Sequence, residues 1–473
     1  MAVQSIEYII FFSIVFVLNW VVCSKNKNFQ NSLIAAASIV FYACCDLRFL
    51  GLLLFTAFST FFSGLWMGNL RDKMSRKLLF VGIIVANIGI LLYFKYFNFF
   101  AQAFSDAFSF FGAEMNVHSL RILLPVGISF YTFTALSYSI DVYQGKVEPT
   151  RDVLAYLAYV MFFPSILCGP ISRAQKQLPQ YYKTRRFDYS IAVSACKLIL
   201  LGAVMKLCLA DRLGIYVDAV YANLAQHNGT TLFLASIFYA IQIYADFAGY
   251  SLIAIGCGRL LGIELSINFN RPYFAKTLSD FWRRWHISLT TWFRDYIYFP
   301  LGGNRCGKAR WICNTIIVFV ISGLWHGAAY NFIIWGAIHG VCMVIEKLIY
   351  GDKIKMITDK LSPANLLRLM ATFTIVNFAW IFFRVNNLDD VVTIFVKIFT
   401  EPGIPFIDGN TVSMAVVAMI LVFIYDLVKE KNLGIHLLSS KRRVIRYLTT
   451  VSLIIYILAF GVLNGGSFIY FQF

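Results

Sequence analysis

Two histidines carry the strongest chemical signal in this sequence. His326 lies in ISGLWHGAAYNFIIWGAIHG, an almost wholly apolar stretch. An ionisable side chain inside a membrane segment is costly to keep there, so it marks a functional site by default. Gly323 and Gly327 flank it and leave room for close approach by a ligand or another helix. His286, in DFWRRWHISLTTWFRDYIYFPLGG, reads equally well as a base or as a ring hydrogen-bonded to a backbone carbonyl. His339 lies well off the helical face of His326 at 100° per residue and reads as structural, as do His118, His227 and His436.

No HExxH, GxSxG, Walker loop or GxGxxG is present, and Gly256, Gly258 and Gly262 have the wrong third spacing for a dinucleotide fingerprint. The histidines lack neighbouring carboxylates, so no metal site is expected. What remains is an embedded imidazole base without a nucleophile of its own. That suits group transfer between two bound substrates, with histidine taking the acceptor proton.

The block from Glu264 to Arg310 surrounds His286 and carries Arg271, Lys276, Arg283, Arg284, Arg294, Arg305, Lys308 and Arg310, so it should face the cytoplasm. Ser279 and Asp280 can begin a helix that Pro300 stops. At 100° per residue, Phe281, Trp285, Leu289, Trp292 and Tyr296 fall within about 80° of one another. Trp282 and Phe293 extend this stripe, His286 lies on its edge, and Arg283 and Arg294 project from another face. Such a helix would lie against the membrane or plug into it, aromatics down and guanidinium groups towards water. Arg283, Arg284 and Arg294, with Trp285 and Trp325, are the candidates for binding a donor, because guanidinium pairs hold phosphate groups well. The alternative is an amphipathic surface helix that holds anionic lipid.

Positioning these residues falls to membrane helices. Of 473 residues, 59% are hydrophobic and 14% charged, and the mean hydropathy is +0.70. A soluble domain has roughly 45–50% apolar and about 25% charged residues, so the chain reads as an all-α polytopic membrane protein. Its net charge of +17 comes from short basic clusters between apolar runs. That is the pattern of cytoplasmic loops and lipid contacts, and no nucleic-acid partner is expected. Ten cysteines show no CxxC pair and mostly lie in apolar runs. The first run, Tyr8 to Val22, resembles no cleavable signal; Lys25 and Lys27 follow it, which places the N-terminus outside.

Candidate spans lie near 6–22, 31–45, 49–69, 78–97, 122–140, 153–169, 190–209, 232–255, 311–328, 330–350, 366–384, 411–428 and 447–463. The loop after Gly169, with Arg173, Lys176, Lys183, Arg185 and Arg186, should be cytoplasmic, yet simple alternation puts it outside. Either 153–169, ending PSILCGP, does not fully cross, or an earlier span is miscounted. The expectation is about 11 true spans plus one or two half-segments. Segment 95–121 looks like an interfacial amphipathic helix. No internal repeat is evident, which counts against a secondary transporter. The whole of 1–473 reads as one domain.

The two histidine blocks, together with LPVGISFYTFTALSYSIDVYQG at 124–145, YADFAGYSLIAIGCGRLLGI at 244–263, NFNRPY at 268–273 and NFAWIFFRV at 377–385, resemble the membrane-bound O-acyltransferase family. The likeness is to its bacterial branch similar to alginate O-acetylation proteins, and it covers about 120–385. It implies a ring of tilted helices around a central tunnel in a bacterial cytoplasmic membrane. It also implies that His326 is the catalytic histidine and His286 the second active-site histidine. No tightly bound cofactor is implied; the donor would be acetyl-CoA or the thioester of an acyl carrier protein. The final acceptor would be an exported polysaccharide, reached through an extracytoplasmic acyltransferase partner. FIYFQF, Phe468 to Phe473, is similar to a C-terminal motif in the small partner protein of the D-alanylation machinery. That likeness makes Tyr470 a possible acyl relay; the alternative is an aromatic anchor at the membrane interface. Three rival readings stay open: D-alanyl transfer to teichoic acid, a transporter or flippase with proton-relaying histidines, and a scaffold.

Overall fold

A computed structural model describes residues 3–110, 122–351, 362–385, 387–435, 437–463, 465 and 468–471. Their regular structure is helical throughout. Nine helical runs among the described residues are long and apolar enough to cross a membrane. One of these, Lys27–Asn69, has 43 residues, about 65 Å if straight and twice the hydrocarbon thickness. It is interrupted at Asp46 (φ −161°), whose carboxylate accepts the Arg48 N–H at 3.1 Å, giving α2 (Lys27–Asp46) and α3 (Leu50–Asn69). The chain forms two compact units, Met1–Cys196 with Ala254–Ser266, and Lys197–Ile253 with Ile267–Phe473.

In the first unit, α6 (Val153–Val160) has 8 residues, about 12 Å, too short to cross. The following backbone is non-helical but buried, which membrane depth tolerates only where protein satisfies its polar groups. The Ser38 hydroxyl accepts the Phe163 N–H at 3.1 Å, and the Tyr159 hydroxyl donates to the Ser172 carbonyl at 3.2 Å. Gly127 (φ 74°) makes the close approach possible, since a Cβ there would meet the Ile166 carbonyl at 2.8 Å.

The basic loops of this unit collect at one end. Lys27 pairs with Asp152 at 3.1 Å, Arg76 donates to the Val142 carbonyl at 2.9 Å, and Gln30 accepts the Arg185 N–H at 2.9 Å. The chain that leaves Asp152 beside Lys27 therefore comes back to the same end of α2 by Arg185, so the loop after Gly169 rejoins the earlier basic loops.

The expected interfacial helix over 95–121 is not a separate element as far as Phe110. Residues Lys73–Phe110 form one helix, α4, of 38 residues. No Pro or Gly falls between Gly89 and Gly112, so nothing stops the helix. Residues 111–121 lie outside the described residues.

In the second unit, α13 (Lys308–His326) and α14 (Tyr330–Tyr350) pack through glycines. A Cβ on Gly323 would run into the Phe332 carbonyl, and one on Gly336 into the Phe319 carbonyl. Small residues at these places let the two backbones touch.

The expected continuous helix from Ser279 to Pro300 is broken. Helix α11 (Leu278–Arg284), capped by the Thr277 hydroxyl, ends before Trp285; α12 (Ile287–Phe293) begins after His286, which takes left-handed angles (φ 39°, ψ 54°). The non-helical segment 268–270 occupies the break. Asn270 N–H donates to the Arg284 carbonyl and Ile287 N–H to the Asn268 carbonyl, both at 2.9 Å. The Ser288 hydroxyl donates to Asn268 Oδ1 at 2.6 Å. These tertiary bonds replace the helical ones the periodicity anticipates.

The stripe orientation changes with it. Phe281, Trp282, Trp285, Leu289, Trp292 and Phe293 are all buried within the protein and do not lie on a membrane surface. Their apolar area packs against other aromatic rings, which is the larger gain available to them.

Candidate active site

His326 is the last residue of α13; Gly327 leaves the helix in an extended conformation, so the imidazole stands at a helix end. His286 stands at the kink between α11 and α12. Tyr470 comes from a 3₁₀ turn, Ile469–Phe471, at the far end of the chain. The three rings converge. Their centroids are 6.5 Å apart for His286 and His326, 6.4 Å for His286 and Tyr470, and 5.5 Å for His326 and Tyr470. All three residues are buried.

The walls are aromatic. Phe247 packs 4.6 Å from both His286 and Tyr470. Trp325, Trp335 and Phe383 lie 4.9, 5.1 and 5.1 Å from His326. Burial in this surrounding pushes the His286 imidazolium down to about 3, so the ring is neutral near pH 7. A neutral imidazole has one donor and one acceptor nitrogen. Two imidazole rings thus stand beside one phenol ring.

The donor-binding candidates separate. Trp325 is at the site, 5.9 Å from His286. Trp285 is buried between Phe281 (5.5 Å), Phe269 (5.0 Å) and Trp380 (4.9 Å), as a core residue would be. Arg284 is committed to ion pairs, with Glu430 and with Asp280, both at 2.9 Å. Arg283 is exposed on α11, and the exposed Arg294 pairs with Asp295 at 2.8 Å. His339 is fully buried, its ring 4.9 Å from Trp335 and 5.0 Å from Trp282. His227 lies 5.4 Å from Phe406. His118 and His436 lie outside the described residues, as do Gln472 and Phe473 of the C-terminal motif.

The sequence reading passed over a buried charge cluster of Lys206, Asp211 and Asp246. The signal was present: Lys206 and Asp246 stand inside apolar runs.

The described residues are helical in their regular structure, with several helices long and apolar enough to cross a membrane. They bury two histidines beside a phenol, titratable groups that are costly at such a place and mark it as a candidate functional site. The sequence model of the MBOAT, membrane-bound O-acyltransferase family, matches residues 150–360, which include both histidines. The chain is 38% identical over 364 residues to the probable alginate O-acetylase AlgI of Azotobacter vinelandii, covering 76% of this chain and 71% of that protein. It is 30% identical to the peptidoglycan O-acetyltransferase of Helicobacter pylori (78% and 74% covered) and 27% identical to the teichoic acid D-alanyltransferase of Bacillus subtilis (66% and 79%). The chain belongs to the membrane-bound O-acyltransferase family: it is a multi-pass membrane protein and an O-acyltransferase.

Proposed function

We propose that this enzyme moves an acetyl group from a cytoplasmic thioester, acetyl-CoA or an acyl carrier protein, to an extracytoplasmic polysaccharide. It would act in a bacterial cytoplasmic membrane, with an extracytoplasmic acyltransferase as partner for the last step. The observation that carries the reading is the convergence of His286, His326 and Tyr470 within 6.5 Å.

His326 is the general base. It takes the phenolic proton of Tyr470 as the phenol oxygen attacks the thioester carbonyl. His286, neutral because it is buried, offers an N–H to the oxygen that gains charge. The C–S bond breaks, the thiolate leaves with the proton held by His326, and Tyr470 carries an aryl ester. In the second half an acceptor hydroxyl attacks that ester, its proton passes to the again neutral His326, and the leaving phenolate takes that proton back to restore the Tyr470 phenol. A phenol of ordinary pKa near 10 leaves more readily than an aliphatic alcoholate, so the ester stays competent for onward transfer. Arg283, Arg294 and Trp325 are the remaining candidates for holding the donor.

Acetyl is favoured over D-alanyl because the probable alginate O-acetylase shares 38% identity over 364 residues, against 27% over 331 and 30% over 247 residues for two teichoic acid D-alanyltransferases. The test is to incubate the purified protein with radiolabelled acetyl-CoA and map the label by peptide mass spectrometry. Acetyl on Tyr470 that disappears in His326→Ala is the expected result. Label from a D-alanyl carrier protein alone would transfer the reading to D-alanylation, and no label from either donor would remove the relay.

A further inference from the structure

Lys206 lies in a π-helical turn, Val204–Ala210, within the apolar run Tyr189–Tyr221. Its ammonium donates to Asp211 at 2.8 Å and to Asp246 at 2.6 Å, and its side chain is only 4% exposed. One cation thus serves two carboxylates in a place where water cannot screen them. Such an arrangement is costly to build, and a protein that retains it generally uses it to fix geometry or to act.

The second oxygen of Asp246 has a specific use. Oδ2 accepts the backbone N–H of Ile469 at 2.8 Å, the residue immediately before Tyr470. The chain leading to that point is fastened to the same π-helical neighbourhood. Arg212 donates to the Phe460 carbonyl, and the Val462 N–H donates to the Leu207 carbonyl at 3.0 Å. Gly465 rests on the Asp211 carboxylate so closely that a Cβ would lie 2.5 Å from Oδ2. The residue after Asp246, Phe247, packs its ring on both His286 and Tyr470.

We propose that Asp246, held in place by Lys206, is a positioning residue that fixes the C-terminal strap so that the Tyr470 ring stands against His326. The inference rests on the reading of Tyr470 as the acyl acceptor. A backbone segment without anchors samples many conformations, and productive attack needs the phenol oxygen held at a defined distance from base and thioester. Charge-assisted acceptance by a carboxylate is the strongest neutral-donor bond the interior can supply to a backbone N–H. It acts one residue from the reacting side chain, so the constraint reaches the ring with little slack. The effect of Asp246 passes through the strap, by way of the Ile469 N–H.

Ile469→Pro tests this most directly. It deletes the donor while leaving Lys206, Asp211 and Asp246 unchanged, and proline is tolerated at the first position of a helical turn. Asp246→Asn is the companion variant. In the whole chain in detergent, both should lose hydrogen-exchange protection at 461–463 and 468–471 and show at least 10-fold less acetyl-Tyr470, with acetyl-CoA affinity unchanged. Unchanged protection of the strap, or an unchanged yield of acetyl-Tyr470 in Ile469→Pro, overturns the proposal. Should Asp246→Asn lose protection throughout the molecule, the proline variant decides. If Tyr470→Phe retains full polymer acetylation, the relay reading fails by itself. Strap exchange in Ile469→Pro still decides the anchoring.

Discussion

The rings of Tyr470 and His326 lie 5.5 Å apart although the two residues are far apart along the chain, within the same compact unit. Neither position has any local reason to meet the other. The consequence is a phenol with an imidazole as its neighbour in a buried, aromatic-walled place.

Replacing His326 with alanine should remove the base and leave the fold in place. The expected loss is about 10²–10⁴-fold in acetyl transfer, the usual contribution of a positioned general base. Size-exclusion elution and thermal midpoint should stay close to those of the unmodified protein. Full transfer by a well-folded variant would end the assignment.

Tyr470→Phe keeps the ring that packs on Phe247 and Phe383 and removes only the hydroxyl. Stability should change little. Mass spectrometry after incubation with acetyl-CoA should find no acetyl on the 465–473 peptide, and polymer acetylation should fall in step.

The buried His286 gives a pH dependence with a definite sign. Its pKa is about 3 in the folded protein against an ordinary value near 6.5. Between those values the unfolded chain binds the extra proton, so stability falls as pH drops from 6.5 towards 3 and is independent of this group above 6.5. The slope contributed is up to about 1.4 kcal/mol per pH unit. His286→Asn, which tolerates the left-handed backbone angles, should reduce the slope in thermal midpoints measured between pH 5 and 7. Equal slopes for both proteins would contradict it.

Gly323→Ala tests the α13–α14 contact. The added methyl group has no space before the Phe332 carbonyl, and overpacking of this kind costs typically about 1–3 kcal/mol. A lowered thermal midpoint in detergent is expected. An unchanged midpoint would mean that the helices separate without cost.

The arginines should part in two ways. Arg284, paired with Glu430 and Asp280, is expected to act on stability, so Arg284→Ala lowers the thermal midpoint. Arg283→Ala and Arg294→Ala, at exposed side chains, should leave the midpoint alone and raise KM for acetyl-CoA. A raised KM in none of them would remove the arginines from donor binding.

Much of this protein was legible in its residues. Hydropathy by itself gave a polytopic helical chain, because a span must be long and apolar whatever it packs against. Pro164, Gly169 and Pro170, with the basic loop after them, marked the segment that turns back, since those residues disfavour continued helix. His326 announced itself because a titratable ring has no ordinary place among so many apolar neighbours.

The tertiary structure decided the rest. The helical wheel assumed one helix from Ser279 to Pro300, but hydrogen bonds from Asn268 and Asn270 end it at His286 and turn the aromatic stripe inward. Tyr470 reaches the histidines through a strap fixed by Asp246, Leu207 and Arg212. Local periodicity describes only what a residue does with its near neighbours along the chain. Which distant segment enters a kink, and which carboxylate accepts a backbone N–H from the chain's end, follow from packing and desolvation in three dimensions.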